Sequence, residues 1–224
     1  TLIENISFPK TVKYIKENAF FKCTKLNSVI FPNDSELELI DQFAFAFSSI
    51  QKISVPKHVQ SIGESAFANC NKLQIVSICK DSQLLTIGKD VFDGTLIQNL
   101  FIPSKVKELK EGWCKGTNKL VDISISPDNK LYKYESGKFL LGRSDEKDIT
   151  FSDLFFCRRD IDEVTIPSYI KNIHSYAFYE CKNLRKVQFE PESNLEIIGE
   201  NSFSSTSFEA ISIPAKVKHI KEHA

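Results

Sequence analysis

Residues 57–78 read KHVQSIGESAFANCNKLQIVSI, and the same phrase stands at 10–31 as KTVKYIKENAFFKCTKLNSVIF and at 168–189 as SYIKNIHSYAFYECKNLRKVQF. Each copy follows a proline. Pro9, Pro56, Pro103, Pro167 and Pro214 are separated by 47, 47, 64 and 47 residues. Between the copies runs a second, related phrase: SELELIDQFAFAFSSIQKISVP at 35–56, SQLLTIGKDVFDGTLIQNLFIP at 82–103 and SNLEIIGENSFSSTSFEAISIP at 193–214. The 47-residue period is therefore two units of 23 and 24 residues. Repetition at such periods marks a stacked array of small structural units.

Every unit holds an apolar-x-x-apolar-x-apolar segment. These segments begin at Ile3, Leu26, Ile50, Leu73, Ile97, Leu120, Ile161, Leu184 and Phe208, at steps of 23, 24, 23, 24, 23, 41, 23 and 24. The alternation at the end of each, as in Leu26-x-x-Val29-x-Phe31, predicts a short strand with one buried face. Behind it, apolar residues recur at spacings of three and four, as in Val59, Ile62, Ala66 and Phe67. That spacing predicts a short helix or 3₁₀ turn laid against the strand. One unit cannot bury these side chains by itself, whereas stacked units share a continuous core. The expected architecture is an α/β repeat solenoid, with a curved parallel β-sheet on the concave face and short helices or 3₁₀ turns on the convex face.

The phrase I-x-x-x-A-F-x-x-C-x-x-L-x-x-V, with its A-F, Cys, Leu and I-P positions in register, closely resembles the BspA-like leucine-rich repeats. The resemblance runs over essentially all 224 residues. It implies one leucine-rich-repeat solenoid over 1–224 of about nine strand units. It further implies a surface protein of the adhesin or antigen type that contacts host cells or matrix proteins without catalysing a reaction. The expected location is then the cell surface or the secreted fraction. Two departures stand out. The Asn that follows the strand in many leucine-rich repeats is missing, and the third block reads EGWCKGTNKL, with Trp113 and Cys114 where Ala and Phe are expected.

The 41-residue step carries 17 extra residues between Ser126 and Ile161. LYKYESGKFLLG alternates on both sides of Ser136-Gly137, which predicts a β-hairpin with a tight turn near 127–160. A second, charged turn, RSDEKD, follows. Gly137-Lys138-Phe139-Leu140-Leu141 resembles the hairpin island found in BspA-like proteins, which either covers the core or offers protruding loops to a ligand.

Cys23, Cys70 and Cys181 share one repeat position, with Thr117 in the third block. Cys23 and Cys70 should lie two strand spacings apart, roughly 10 Å at ~4.8 Å per strand. A disulfide rarely spans more than about 7 Å between Cα atoms, so buried small thiols are expected. Spacing alone leaves the redox state of Cys79, Cys114 and Cys157 open.

Basic and acidic residues number 29 each, so the net charge is zero and a phosphate-neutralising surface is not expected. No apolar run approaches the ~20 residues of a membrane span. The chain opens on Thr-Leu-Ile, has no Met, and ends at Ala224 in the middle of an A-F pair. Both features read as an array truncated at both ends. HIKEH at 219–223 fits H-x-x-E-H, which on a helix would set His219 and His223 on one metal with Glu222 as base. Aligned with Tyr14-Ile-Lys-Glu-Asn18, however, it is repeat sequence in which two variable positions are His. Neither metal nor cofactor is expected, nor a catalytic constellation. Asn5-Ile6-Ser7 and Asn33-Asp34-Ser35 fit the glycosylation sequon.

The strand residues between the buried ones should face solvent on the concave side. One such column runs Ser28, Lys52, Ile75, Asn99, Asp122, Glu163, Lys186, Ala210. The other runs Ile30, Ser54, Ser77, Phe101, Ser124, Thr165, Gln188, Ser212. Apolar residues beside polar rims are a usual makeup of protein-binding surfaces. The candidate protein-binding residues are Ile30, Lys52, Ile75, Asn99, Phe101, Asp122, Glu163, Lys186 and Gln188. The leading expectation is a non-catalytic protein-binding module. An intracellular scaffold that recruits partner proteins is the alternative.

Overall fold

The computed structural model describes residues 2–224, which form two compact units, one ending at Asn129 and the other beginning at Lys130. In the first unit the backbone turns three corners per repeat, and each corner stacks on its counterpart in the next repeat. The longer strands pair in parallel: Asn5–Ser7 with Ser28–Ile30, Lys52–Val55 with Ile75–Ile78, and Asn99–Ile102 with Asp122–Ile125. Two-residue strands at Tyr14–Ile15, Leu39–Ile40, Ser61–Ile62, Thr86–Ile87 and Glu108–Leu109 form a second parallel sheet of five strands. The core lies between, where Leu26, Ile40, Ile50, Ile62, Phe67, Leu73, Ile87 and Phe92 are fully buried.

The third corner corrects the sequence expectation. Among the described residues there is no α- or 3₁₀-helix, and the A-F stretches are tandem turns. Two residues per repeat, four apart, adopt left-handed backbone: Asn18 and Lys22, Phe43 and Phe47, Ser65 and Asn69, Asp90 and Gly94, Gly112 and Gly116. A right-handed helix cannot run through such residues. The amide donors are divided accordingly. Ala66, Ala68 and Cys70 donate within their own turns to Gly63, Ser65 and Phe67, while Ser65, Phe67 and Asn69 donate to Lys89, Val91 and Asp93 of the next repeat. Stacking places carbonyls of the adjacent repeat within reach, and those bonds replace the i→i−4 bonds of a helix.

A second difference concerns the longer strands. They occur as separate parallel pairs, joined at the 23-residue steps; at the 24-residue steps, Ser28–Ile30 to Lys52–Val55 and Ile75–Ile78 to Asn99–Ile102, no ladder forms. Gly63 and Gly88 mark a close approach between repeats, since a Cβ on Gly88 would lie 2.5 Å from the carbonyl carbon of Gly63.

The second unit repeats this plan around the hairpin. Tyr132–Glu135 runs antiparallel to Phe139–Gly142, which runs antiparallel to Asp153–Cys157. Ser136 and Gly137 turn the chain at φ 55° and 62°, the geometry of a two-residue hairpin loop. Asp153–Cys157 then pairs in parallel with Asn172–Ile173, and the ladder continues through Ile197–Ile198 to His219–Ile220. The hairpin thus extends the sheet of two-residue strands. Glu163–Ile166 pairs with Lys186–Phe189, whereas residues 208–214 form no strand.

HIKEH is strand and turn. His219 lies on the last two-residue strand and His223 has left-handed backbone at φ 54°, so the two rings do not share a helix face.

Candidate functional site

The candidate binding residues do face outward. In the first unit Ile30 and Ile75 are 56% and 55% exposed, Lys52, Asn99 and Asp122 are exposed, and Phe101 is half-buried. Their strand partners alternate inward as Val29, Ile53, Val76, Leu100 and Ile123. Register sets Lys52 opposite Ile75, Asn99 opposite Asp122 and Phe101 opposite Ser124. An aliphatic side chain beside an ammonium, and an aromatic ring beside a hydroxyl, are the neighbours this face presents. In the second unit Glu163 lies opposite Lys186 with 3.8 Å between their charged atoms, and Thr165 lies opposite Gln188. That ion pair is solvated and contributes little to stability.

Two clefts in the second unit adjoin these residues. One, of about 430 Å³, is lined by Glu135, Lys138, Phe139, Glu163, Thr165 and Glu190. At its hairpin side, burial disfavours charge on Glu135, but hydrogen bonds donated by Lys133 and Tyr169 outweigh it and hold the carboxyl below its ordinary range. Burial and the Glu135 carboxylate together push the Tyr169 phenol up. Sequence reading missed this arrangement because Glu135 and Tyr169 are 34 residues apart. The other cleft, of about 690 Å³, lies between Lys186–Phe189 and residues 210–216, where the repeat pattern predicts a ninth strand.

The cysteine position has a local explanation. Cys70 shares its position with Ser48, Thr95 and Thr206 of the intervening units, and the hydroxyls of Thr95, Thr117 and Thr206 each donate to the carbonyl three residues back. Cys70 donates to the Phe45 carbonyl at 3.1 Å and contacts the Ser48 hydroxyl at 3.3 Å. The position calls for a small buried donor, which a thiol supplies. None of the six cysteines is in a disulfide, and only Cys79 is exposed. Burial pushes the Cys70 thiol up to about 11 and raises Cys157 and Cys181 as well. These thiols therefore stay protonated at neutral pH and lack thiolate nucleophilicity. With an aromatic disulfide reagent at mildly alkaline pH, the native chain should release one equivalent of thiol, from Cys79, and the remaining five only after denaturation. Rapid release of two or more would show that the core opens in the native state.

Among the described residues, no group of three His, Cys, Asp or Glu side chains is placed to hold a metal. No helix among them is long and apolar enough to cross a membrane.

The fold of this chain is shared with solved structures. The chain is similar to the pneumococcal vaccine antigen PcpA, with 25% identity, a TM-score of 0.86, and coverage of 96% of this chain and 52% of that one. It thus spans about half the length of that structure. A leucine-rich cell surface protein of Faecalibacterium prausnitzii shares the fold at 21% identity, with a TM-score of 0.69 and coverage of 98% and 69%. The T. pallidum leucine-rich repeat protein does so at 20% identity, with a TM-score of 0.54 and coverage of 90% and 75%. No curated protein matches the chain. The model of the BspA type leucine rich repeat region matches in six copies, over residues 1–130 and 149–224, leaving most of the hairpin outside. With most of its length covered by that model, the chain belongs to the BspA-type leucine-rich-repeat family.

Proposed function

We propose that this chain is a non-catalytic protein-binding module displayed at a cell surface, where it contacts a host-cell or matrix protein through the solvent-facing side of its longer strands. The observation that carries the reading is the pair Ile30 and Ile75, both more than half exposed on strands whose remaining outward residues are largely small or charged. Exposed aliphatic side chains on a rigid ladder lose little conformational entropy on binding, and polar neighbours supply the rim. Family membership and the resemblance to a vaccine antigen and a surface protein support the location. Among the proposed contacts, Ile30, Ile75 and Phe101 would supply the apolar area, and Lys52, Asn99, Asp122, Glu163, Lys186 and Gln188 the polar and charged contacts. Within each strand pair the ladder holds these side chains in register, and binding would need no covalent step.

Two measurements test this. Impermeant biotinylation of intact cells should label the native protein; labelling only after lysis would favour the intracellular scaffold. In a solid-phase assay on a panel of purified matrix proteins, the wild-type chain should bind at least one. The combined Ile30→Ser, Ile75→Ser, Phe101→Ser variant should bind it about tenfold or more weakly. A variant that keeps full affinity would rule out this face.

A further inference from the structure

A different surface carries a second binding feature. At the left-handed positions of the turn ladder, most repeats place Gly, Asn, Asp or Ser: Ser65 and Asn69, Asp90 and Gly94, Gly112 and Gly116, Asn201 and Ser205. These residues adopt that backbone at little cost, while a bulky side chain there is an outlier. Two repeats break the pattern at both positions: one with Tyr176 and Glu180, and one with aromatic residues at both, Phe43 at φ 52° and Phe47 at φ 60°. Strained backbone that persists points to a function for the side chain it presents.

Their rings are not taken into the core. Phe47 is 40% exposed and Phe43 and Phe21 are half-buried. Phe21 meets Phe43 and Phe47 edge-on, at 6.2 Å and 5.6 Å between centroids and 79° and 86° between planes. Over them lies Lys22, whose ammonium is 5.2 Å from the Phe21 ring and 5.8 Å from the Phe47 ring. Among the described residues no carboxylate pairs with Lys22. The result is an exposed aromatic cluster capped by an uncompensated positive charge.

We propose that Phe21, Phe43, Phe47 and Lys22 bind a partner polypeptide segment that presents an apolar side chain next to a carboxylate. Charge complementarity selects this occupant. The ring cluster takes an apolar side chain, and the exposed ammonium beside it takes its counter-charge from the partner. Edge-on rings offer no flat platform for a sugar face. Glu17 and Asp41, which lead into the same two turns, would oppose an anionic lipid surface.

Panning phage-displayed random peptides on the wild-type chain tests this. The enriched peptides should combine Phe, Leu or Trp with Asp or Glu. In fluorescence polarisation with such a peptide, Lys22→Glu should weaken binding about tenfold or more, Phe47→Asn should do likewise, and Ile75→Ser should leave it unchanged. Lys22→Glu alters only an exposed charge, so its result stands even where a Phe variant misfolds. The proposal is overturned by a panning that enriches no such peptides, or by peptides indifferent to Lys22→Glu. It is also overturned by peptides lost only with Ile75→Ser, which places them on the strand face proposed above. Finally, it fails where the chain binds phosphatidylserine vesicles through Phe47 in place of the peptide.

Discussion

Phe67→Ala is expected to lower the unfolding free energy by about 3–5 kcal/mol, measured as a shift in the urea midpoint. Phe67 is fully buried and occupies the middle of a column in which Phe20, Phe45, Phe67 and Phe92 stack nearly parallel. The centroids lie 5.2, 5.7 and 6.1 Å apart, with interplanar angles of 7°, 3° and 8°. Truncation removes a ring with neighbours on both faces, and the backbone around it is held by turn-ladder bonds that limit collapse into the cavity. In a repeat array each unit is stabilised chiefly by its neighbours, so a cavity here also weakens the coupling between the repeats on either side. The urea transition should therefore broaden as well as shift. A loss below about 1 kcal/mol would mean that the column relaxes over the gap. Phe20, half-buried at one end of the same column, should be less sensitive.

Arg159→Met should cost about 3 kcal/mol, because charge-assisted hydrogen bonds and a well-packed cation are lost together. Arg159 is 4% exposed. Its guanidinium donates to the Ala177 carbonyl at 2.9 Å and the Tyr176 carbonyl at 3.2 Å, and lies 4.7 Å from the centre of the Phe156 ring. It thereby secures a turn whose first residue, Tyr176, has left-handed backbone at φ 64°. Lysine carries the same charge but lacks the planar fork that reaches two carbonyls while stacking on a ring. Arg159→Lys should therefore recover little of the stability in a thermal melt. Wild-type stability of the lysine variant would show that charge alone suffices.

Arg159 also illustrates what remained hidden in the residue order. RRD at 158–160 reads as a solvated charged turn, and Arg158 behaves that way, pairing with Asp160 near the surface. Arg159, next to it, is buried because the repeat that follows folds its turn carbonyls toward it. Ile30, Ile75 and Phe101 were legible in advance, since alternation within a strand decides which side chains face out. The cluster of Phe21, Phe43 and Phe47 was not. Its DQFAFAF sequence reads as apolar residues around an A-F pair and suggests a buried segment. Only the left-handed backbone at Phe43 and Phe47 turns those rings outward.

Helix and turn ladder divide along the same line. Val59, Ile62, Ala66 and Phe67 satisfy a helical spacing, and a single repeat contains no information against it. The amides of Ser65, Phe67 and Asn69 bond to the next repeat because stacking brings a second set of carbonyls within reach, an effect that exists only once the array has formed. Periodicity by itself determined the repeat solenoid, the spacing of its strands, the buried columns and the residues that flank them on the strands. These follow from burial, which repeats with the sequence. Tertiary structure decided the conformation of the A-F segments, the splitting of the strands into pairs, the burial of Arg159 and the exposure of the aromatic cluster. Each of these depends on hydrogen bonds or contacts between residues 17 or more positions apart, where local propensity carries no preference.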